Sequence, residues 1–211
     1  MSLSNQLKAY ADKAESTYSK EYLQLTDWSI KSLKASDLLK RTLKTRDSLP
    51  NGTLLNSNSK EVQIYDLLKQ TPLVITFYRG GWCPYCNLQL KAMQGILQDI
   101  VEKGASLVAI TPELPDASIA TKHKNELSFT ILSDVDNTYA NALSLAYSLP
   151  PDLVNIYQKN GIDLIKNQNN KDTQLPIPAT YIVNQVGEIT YHFLDPDYKN
   201  RAELEHILEA L

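Results

Sequence analysis

Residues 76–86 read Thr-Phe-Tyr-Arg-Gly-Gly-Trp-Cys-Pro-Tyr-Cys, and they hold both cysteines of the 211-residue chain, Cys83 and Cys86. The segment joins a strand-like run, residues 72–78, to a run with helical spacing of apolar residues, residues 85–102. A Cys-x-x-Cys pair at a strand-to-helix junction indicates a dithiol that forms a reversible disulfide. Residues three apart on a helix have Cβ atoms about 5–6 Å apart, which is near disulfide range.

The start of a helix also favours the reactive form of a cysteine. Its first turn carries unpaired backbone N–H groups and the positive end of the helix dipole, and both stabilise a thiolate. The thiolate, rather than the thiol, is the nucleophile. Pro84 suits the first helical position, because the N–H that proline lacks would be unpaired there in any case.

Composition narrows the class of protein. The chain is 43% hydrophobic and 21% charged, which is typical of a globular protein. A net charge of −3 argues against a nucleic-acid partner, whose binding surface would be basic. No apolar run approaches the roughly 18 residues of a membrane helix, and the N-terminus lacks the apolar core of a signal peptide. With two cysteines spaced for exchange, we expect a cytoplasmic protein that binds neither nucleic acid nor membrane.

The three histidines, His123, His192 and His206, show no paired ligand spacing. A structural zinc site needs four ligands, commonly from two closely spaced pairs, and this chain has one cysteine pair. We therefore expect no metal site and no bound cofactor.

Residues 1–43 carry a helical pattern, with one apolar stripe made by Leu3, Leu7, Tyr10, Ala14 and Tyr18. A second helix is expected to follow residues 26–28. This N-terminal arm is interpreted as packing against the main domain, residues 44–211. The same narrow stripe also suits a partner helix, so a homodimer through the N-terminal helices is the alternative.

Residues 44–211 alternate between strand and helix patterns, and this order predicts an α/β sheet. Strands are predicted at residues 72–78, 106–111 and 129–132, and a closing hairpin at residues 179–184 and 188–193. Helices are predicted at residues 85–102, 116–126, 136–145 and 202–211. Residues 147–176 are predicted to be irregular, with a helical piece near residues 152–157. The Asn51-Gly52 pair is the strongest hairpin signal in the chain.

The block from Phe77 to Asn87, followed by Leu-Pro-Ile-Pro-Ala-Thr at residues 175–180, resembles the alkyl hydroperoxide reductase/thiol-specific antioxidant family. The resemblance is to its peroxiredoxin-like branch, within the thioredoxin-fold superfamily, and covers residues 44–211. It implies a thioredoxin-like fold, a central mixed sheet flanked by helices. It further implies a reductase of hydroperoxides that cycles through a Cys83–Cys86 disulfide, with thioredoxin or glutathione as reductant.

The resemblance also implies roles for residues around the dithiol. Pro178 matches a proline that faces the dithiol in the cis form, and Ile177 would then offer backbone groups to an extended substrate. Trp82 would shield the dithiol and give a flat surface for docking, beside Pro84. Two basic residues are implied to stabilise a thiolate: Arg79 and Arg201.

Two assignments of the attacking cysteine remain open. In the peroxiredoxin register Cys86 reacts with peroxide, while Cys83 replaces a threonine and Arg79 replaces a proline. In the thioredoxin register Cys83 attacks and Cys86 resolves, but the buried acid of thioredoxins is missing. The tetrapeptide Cys-Pro-Tyr-Cys is also that of glutaredoxins. The position of Cys83 at the helix boundary, where it should be more accessible, favours Cys83 as the nucleophile.

Two other functions use the same residues. A protein disulfide reductase would reduce disulfide substrates without peroxide chemistry. A redox-sensing interaction module would change its assembly with the state of the dithiol and show little turnover, with the N-terminal arm binding a partner.

Overall fold

A mixed β-sheet of seven strands forms the centre of the computed structural model, which describes residues 2–169, 171 and 173–211. The strand order is β2-β1-β5-β4-β3-β8-β9, and a separate two-stranded sheet joins β6 to β7. The strands are β1 (Thr53–Leu55), β2 (Glu61–Gln63), β3 (Leu73–Phe77), β4 (Ser106–Thr111), β5 (Thr130–Ser133), β6 (Ala146–Ser148), β7 (Gln174–Pro176), β8 (Ala179–Val183) and β9 (Ile189–Leu194).

Helices cover both faces of this sheet. They are α1 (Leu3–Thr17), α2 (Lys20–Ala35), α3 (Leu38–Arg41), α4 (Ile64–Leu68), α5 (Pro84–Gly95), α6 (Leu97–Glu102), α7 (Pro115–Lys124), α8 (Thr138–Ala142), α9 (Pro151–Lys159), α10 (Leu164–Gln168) and α11 (Leu204–Glu209), and a 3₁₀ turn spans Val135–Asn137. Within the described ranges, no helix has the length and apolar character that a membrane crossing requires.

The central strand β3 explains the arrangement. All five of its residues are buried, as expected for a strand covered on both faces. Val74 belongs to one hydrophobic core and Ile75 and Phe77 to the other, because successive side chains point to opposite faces. Strand β3 pairs parallel with β4 and antiparallel with β8. The predicted α/β fold with a mixed sheet is confirmed, and the carboxyl end of β3 leads directly to the two cysteines.

The apolar stripe of the N-terminal arm packs against the main domain of the same chain. Leu3 and Leu7 on α1 lie in the same hydrophobic core as Leu90 of α5. Their exposed fractions are 4% and 6%. The homodimer through the N-terminal helices stays a prediction, and it would have to use a different face of α1.

Two local predictions were wrong. The break between the first two helices lies at Ser19, whose side chain accepts a hydrogen bond from the Tyr22 N–H, so residues 26–28 lie within α2. Gly52 precedes β1, and the turn of the β1–β2 hairpin comes later, around residues 56–59. A Cβ at Gly52 would lie 2.3 Å from a ring carbon of Tyr139, so this glycine permits a close packing contact.

The region predicted as irregular, residues 147–176, is more ordered than its composition indicates. The helical piece is confirmed as α9, and α10 follows it. Strand β7 pairs with β6 through three residues, an element too short to give a period-2 pattern.

Because α1 packs against the hydrophobic core, a substitution on its buried face should lower the free energy of unfolding. We expect Leu7→Ala to lower the free energy of unfolding by about 2–5 kcal/mol, because it leaves a cavity in a packed core. Lys13→Ala, an exposed position on the same helix, is the control and should change it by less than about 0.5 kcal/mol. Urea denaturation measures both, and equal midpoints for the two variants would contradict the observed packing.

Candidate active site

The loop between β3 and α5 is held by contacts to its two glycines. The Gly81 N–H donates a hydrogen bond of 2.7 Å to a carboxylate oxygen of Glu113, and Asn87 Nδ2 donates one of 2.8 Å to the Gly81 carbonyl. A Cβ at Gly81 would lie 2.0 Å from the Thr121 hydroxyl oxygen. Gly80 has a φ of +154°, in the region that favours glycine. The Gly-Gly pair is therefore required for the loop to fit between α5 and α7.

The two cysteines lie in the first turn of α5, as predicted. Cys83 is the N-cap residue, Pro84 occupies the first helical position, and both cysteines are free thiols. Cys83 was expected to be the more accessible of the two, but both are buried, with exposed fractions of 1% for Cys83 and 0% for Cys86. The two thiols differ in another way, since Cys83 lines a cavity and Cys86 lies outside its lining.

Both predicted arginines reach the dithiol, one to each sulfur. Arg79 Nη1 lies 3.8 Å from Cys83 Sγ, and Arg201 Nη2 lies 3.5 Å from Cys86 Sγ. Both guanidinium groups are buried. Arg201 is held by hydrogen bonds from Nη1 to the carbonyl oxygens of Tyr198 and Asn200.

Arg79 is held by aromatic side chains. Its Nη2 donates a 2.5 Å hydrogen bond to the Tyr157 hydroxyl, and its guanidinium carbon lies 4.0 Å from the ring centre of Tyr198. The same carbon lies 4.9 Å from the ring centre of Trp82. A cation over an aromatic face is favourable, and more so when it is shielded from water. Trp82 thus helps to hold Arg79 beside the dithiol. Its predicted role in shielding the dithiol stays a prediction.

The surroundings of the two thiols separate their pKa values. Burial raises the pKa of the Cys83 thiol well above its ordinary value, as does its hydrogen bond with Cys86. Burial opposes ionisation of Cys86 too, but there the hydrogen bond from Cys83 and the charges of Arg201 and Arg79 prevail and lower the pKa. These contacts favour the ionised form at Cys86 rather than at Cys83.

The expectations for Ile177 and Pro178 need correction. The Ile177–Pro178 peptide bond is trans, so the predicted cis form is wrong. The Ile177 N–H donates to the Leu145 carbonyl at 2.9 Å and is not available to a substrate. The physical reason is that trans is the favoured form of an X–Pro bond, and that these two residues link β7 of one sheet to β8 of the other. Both residues are buried, and neither lines the cavity.

Sequence reasoning missed Glu113, a buried carboxyl behind the loop. Burial raises its pKa to about 7, against the hydrogen bond from the Gly81 N–H. It follows β4 by two residues. Because the carboxyl ends of parallel strands meet at one edge of a sheet, its position after β4 was the signal that could have found it.

Sequence reasoning also missed the cavity in front of the dithiol. Its volume is about 520 Å³. The arm contributes one wall, and the loop and the start of α5 contribute the opposite wall. Aromatic rings dominate the lining: Tyr10, Tyr18, Tyr22, Trp82, Tyr85 and Tyr198. The only sequence signal was the presence of two of these tyrosines in the helical stripe of the arm. No grouping of three or more His, Cys, Asp or Glu side chains suited to a metal ion occurs among the residues that the structure describes.

A mixed sheet whose central strand leads into a Cys-x-x-Cys pair flanked by arginines, at the start of a helix, defines a thiol-dependent oxidoreductase of the thioredoxin fold. The model of the AhpC/TSA family matches residues 45–192. The chain therefore belongs to the AhpC/TSA family, the family that its cysteine block resembles.

Similar proteins agree with this membership. A putative peroxiredoxin, Bcp, of Helicobacter pylori is 26% identical over 162 residues, covering 77% of this chain and 93% of that protein. Among solved structures, peroxidoxin BcpB of Mycobacterium tuberculosis has a TM-score of 0.62 at 15% identity, covering 80% of this chain and 96% of its own. Reduced Prx3 of Vibrio vulnificus in complex with H₂O₂ has a TM-score of 0.63 at 16% identity, covering 80% and 99%.

These likenesses confirm the thioredoxin fold, and with the family membership they establish the activity. The protein is a thiol-dependent peroxidase that reduces hydroperoxides. The alternatives of a protein disulfide reductase and a redox-sensing module are not favoured.

The raised pKa of Glu113 predicts a pH dependence of stability. A carboxyl whose pKa rises from 4.5 to about 7 on folding holds its proton more tightly in the folded state. Its stabilisation is therefore complete below pH 4.5 and is lost as the pH rises through 7. Glu113→Gln keeps an acceptor oxygen for Gly81 but cannot ionise.

We expect wild type to lose about 1–3 kcal/mol relative to Glu113→Gln between pH 5 and pH 8, as the carboxyl ionises. Denaturant unfolding of both proteins across this range measures the difference. Comparing wild type with Glu113→Gln removes the contribution of Asp134, whose pKa is raised to about 6 by burial and which titrates in both proteins. Parallel curves for the two proteins would show that Glu113 does not ionise in this range.

Proposed function

We propose that this peroxidase uses Cys86 as the attacking thiolate and Cys83 as the resolving thiol. The observation that carries the proposal is the Arg201 guanidinium, which lies 3.5 Å from Cys86 Sγ in a buried site. An opposite charge at this distance favours the ionised form, and little water is present to screen it. The pKa values of the two thiols are displaced in opposite directions, which supports the same assignment.

In the proposed cycle, the Cys86 thiolate attacks one oxygen of the hydroperoxide and the O–O bond breaks. The leaving oxygen takes up a proton and departs as water or an alcohol, and Cys86 becomes a sulfenic acid. The Cys83 sulfur then attacks the sulfur of Cys86, water leaves, and a Cys83–Cys86 disulfide forms. The hydrogen bond between the two side chains supports this step, because it indicates that the two thiols lie near each other.

This order reverses the expectation from the sequence, which favoured Cys83 as the nucleophile. That expectation rested on exposure, and both sulfurs are almost fully covered. Cys83 does face the cavity, so in this proposal its side chain rotates aside to admit the peroxide to Cys86.

Family membership indicates the class of substrate and the class of reductant, but not the individual molecules. Membership implies a peroxide substrate and a thioredoxin-type reductant. The similar Vibrio vulnificus protein was solved with H₂O₂, which makes hydrogen peroxide the first substrate to test. We propose the cytoplasm as the compartment, because a dithiol that is oxidised in each cycle needs a reducing environment. Trp82 and Pro84, which line the cavity, are proposed to position substrate.

Replacing each cysteine in turn tests the assignment. Cys86→Ser should reduce the reaction with peroxide to the rate of an ordinary free thiol, because the stabilised thiolate is gone. Cys83→Ser should still react once and then accumulate a sulfenic acid on Cys86, detectable by dimedone labelling and mass spectrometry. The roles would be reversed if the Cys86→Ser protein consumed peroxide at the wild-type rate and dimedone labelled its Cys83.

Replacing Arg201 tests the cause of the low pKa. Arg201→Gln should raise the pKa of Cys86 by roughly 1–3 units, because a neighbouring positive charge is lost. The rate of peroxide reduction at neutral pH should fall by about tenfold for each unit by which the new pKa exceeds the pH. Arg41→Gln, an exposed arginine on α3, is the matched control.

The thiolate absorbance and the pH–rate profile of the Arg201→Gln protein should move to higher pH together. A fall in rate with an unchanged pH profile would mean that Arg201 acts only on the shape of the site.

A further inference from the structure

The N-terminal helices form a wall over the dithiol that lies outside the family's matched segment, residues 45–192. Helix α1 is fixed to α5 by the Tyr10 ring, whose centre lies 5.0 Å from that of Tyr85 in an edge-to-face contact. Helix α2 lies against α9, where the ring centres of Tyr22 and Tyr157 are 6.1 Å apart. What reaches the dithiol from this side must pass into the cavity between the arm and α5.

The size and chemistry of this cavity suit a small molecule with charges of both signs. Its volume of about 520 Å³ lies within the range of small-molecule sites and is far below the size of a folded protein. Lys20 and Lys199 line it, as do Glu15 and Asp27. Asp27 is paired with Lys31 and Lys199 with Asp197, whereas Lys20 and Glu15 belong to none of the ion pairs found among the described residues. A short peptide with a carboxylate and an ammonium group therefore finds an opposite charge for each, at Lys20 and at Glu15.

Only one of the two sulfurs lines this cavity, and it is the sulfur that a reductant should attack. A thiolate that attacks a disulfide expels the other sulfur, and expulsion is faster when the leaving thiol has a low pKa. Attack at Cys83 Sγ expels Cys86, whose thiolate is received by Arg201 at 3.5 Å. Attack at Cys86 would instead expel the thiol that its surroundings do not ionise.

We propose that the cavity under the N-terminal arm admits a low-molecular-weight peptide thiol, which reduces the Cys83–Cys86 disulfide directly by attack on Cys83 in place of a folded protein reductant. This inference rests on the proposed cycle. Family membership implies a thioredoxin-type reductant, and we infer that the N-terminal arm of this chain restricts the reductant to a small thiol. It identifies α1 and α2 as the elements that select the reductant.

The exchange balances with two molecules of the thiol. The first thiolate bonds to Cys83 Sγ, the Cys83–Cys86 bond breaks, and Cys86 leaves as a thiolate. The second thiolate attacks the sulfur of the first and forms the small-molecule disulfide. Cys83 is released and takes up a proton. Two thiols are oxidised and one protein disulfide is reduced.

The test uses the full-length protein, oxidised to its disulfide by diamide, so that it does not depend on peroxide turnover. Reduction by glutathione, by 2-mercaptoethanol and by reduced thioredoxin is followed by alkylation and mass spectrometry. Glutathione represents the peptide thiol, and 2-mercaptoethanol represents a thiol too small to contact the cavity walls. For wild type, the second-order rate constant for glutathione should exceed that for thioredoxin.

Variants of the arm separate a cavity effect from a folding effect. Ala11→Phe fills the cavity from α1 and should slow glutathione about tenfold or more, because the peptide loses its contacts, but leave 2-mercaptoethanol within about twofold. Ala9→Phe, on the exposed face of the same helix, should change neither. Lys20→Glu, an exposed position on the cavity rim, should also slow glutathione selectively, and Lys13→Glu is its charge-matched control.

Faster reduction by thioredoxin than by glutathione would overturn the inference, because a folded protein would then reach Cys83. Equal effects of Ala11→Phe and Ala9→Phe on the glutathione rate would overturn it as well. Failure of the proposed cycle looks different, since dimedone would then label Cys83 rather than Cys86 after peroxide treatment of the single-serine variants, while diamide would still form the disulfide in wild type.

Discussion

The contact between the Arg201 guanidinium and the Cys86 sulfur is the interaction on which the site depends. It joins residues 115 positions apart, so it requires the whole sheet to bring the segment after β9 back to the start of α5. Among the ion pairs of the described residues, none involves Arg79 or Arg201. A buried cation without a carboxylate partner is costly, and the thiolate is the anion that offsets it. The arginines ionise the sulfur, and the sulfur stabilises the arginines.

The aromatic side chains around Arg79 likewise keep a buried positive charge close to the dithiol. The rings of Trp82 and Tyr198 and the hydroxyl of Tyr157 hold the guanidinium without neutralising its charge. A carboxylate in their place would compete with the sulfur for the cation. The residues that confine the charge come from three separate parts of the chain, which explains why the site needs both α9 and the segment after β9.

The sequence allowed the prediction of much of the fold and the centre of the site. The runs at β3, β4 and β8 are apolar and β-branched, and such runs are typical of buried strands wherever they occur. The Cys-x-x-Cys spacing and its position at a helix start are local features, so Cys83, Cys86 and the neighbouring Arg79 could be found from them. Arg201 lies far away in the sequence and was named only through the family resemblance.

What the sequence could not give depends on contacts between distant segments. Glu113, the trans form at Pro178 and the cover that the arm places over Cys83 each follow from which elements become neighbours. The exposure of Cys83 was misjudged for this reason: a helix N-terminus is accessible only if nothing packs on it, and the arm residues that cover it lie more than 50 positions upstream.

The position of Cys83 between the cavity and Cys86 has a consequence for the lifetime of the oxidised enzyme. In the proposed cycle, a sulfenic acid on Cys86 would form beside Cys83, the thiol to which Cys86 is hydrogen-bonded. A second peroxide molecule would have to pass the same thiol to reach it. If the proposed roles hold, irreversible over-oxidation to the sulfinic acid would be disfavoured, and such an enzyme would suit conditions in which its oxidant is abundant.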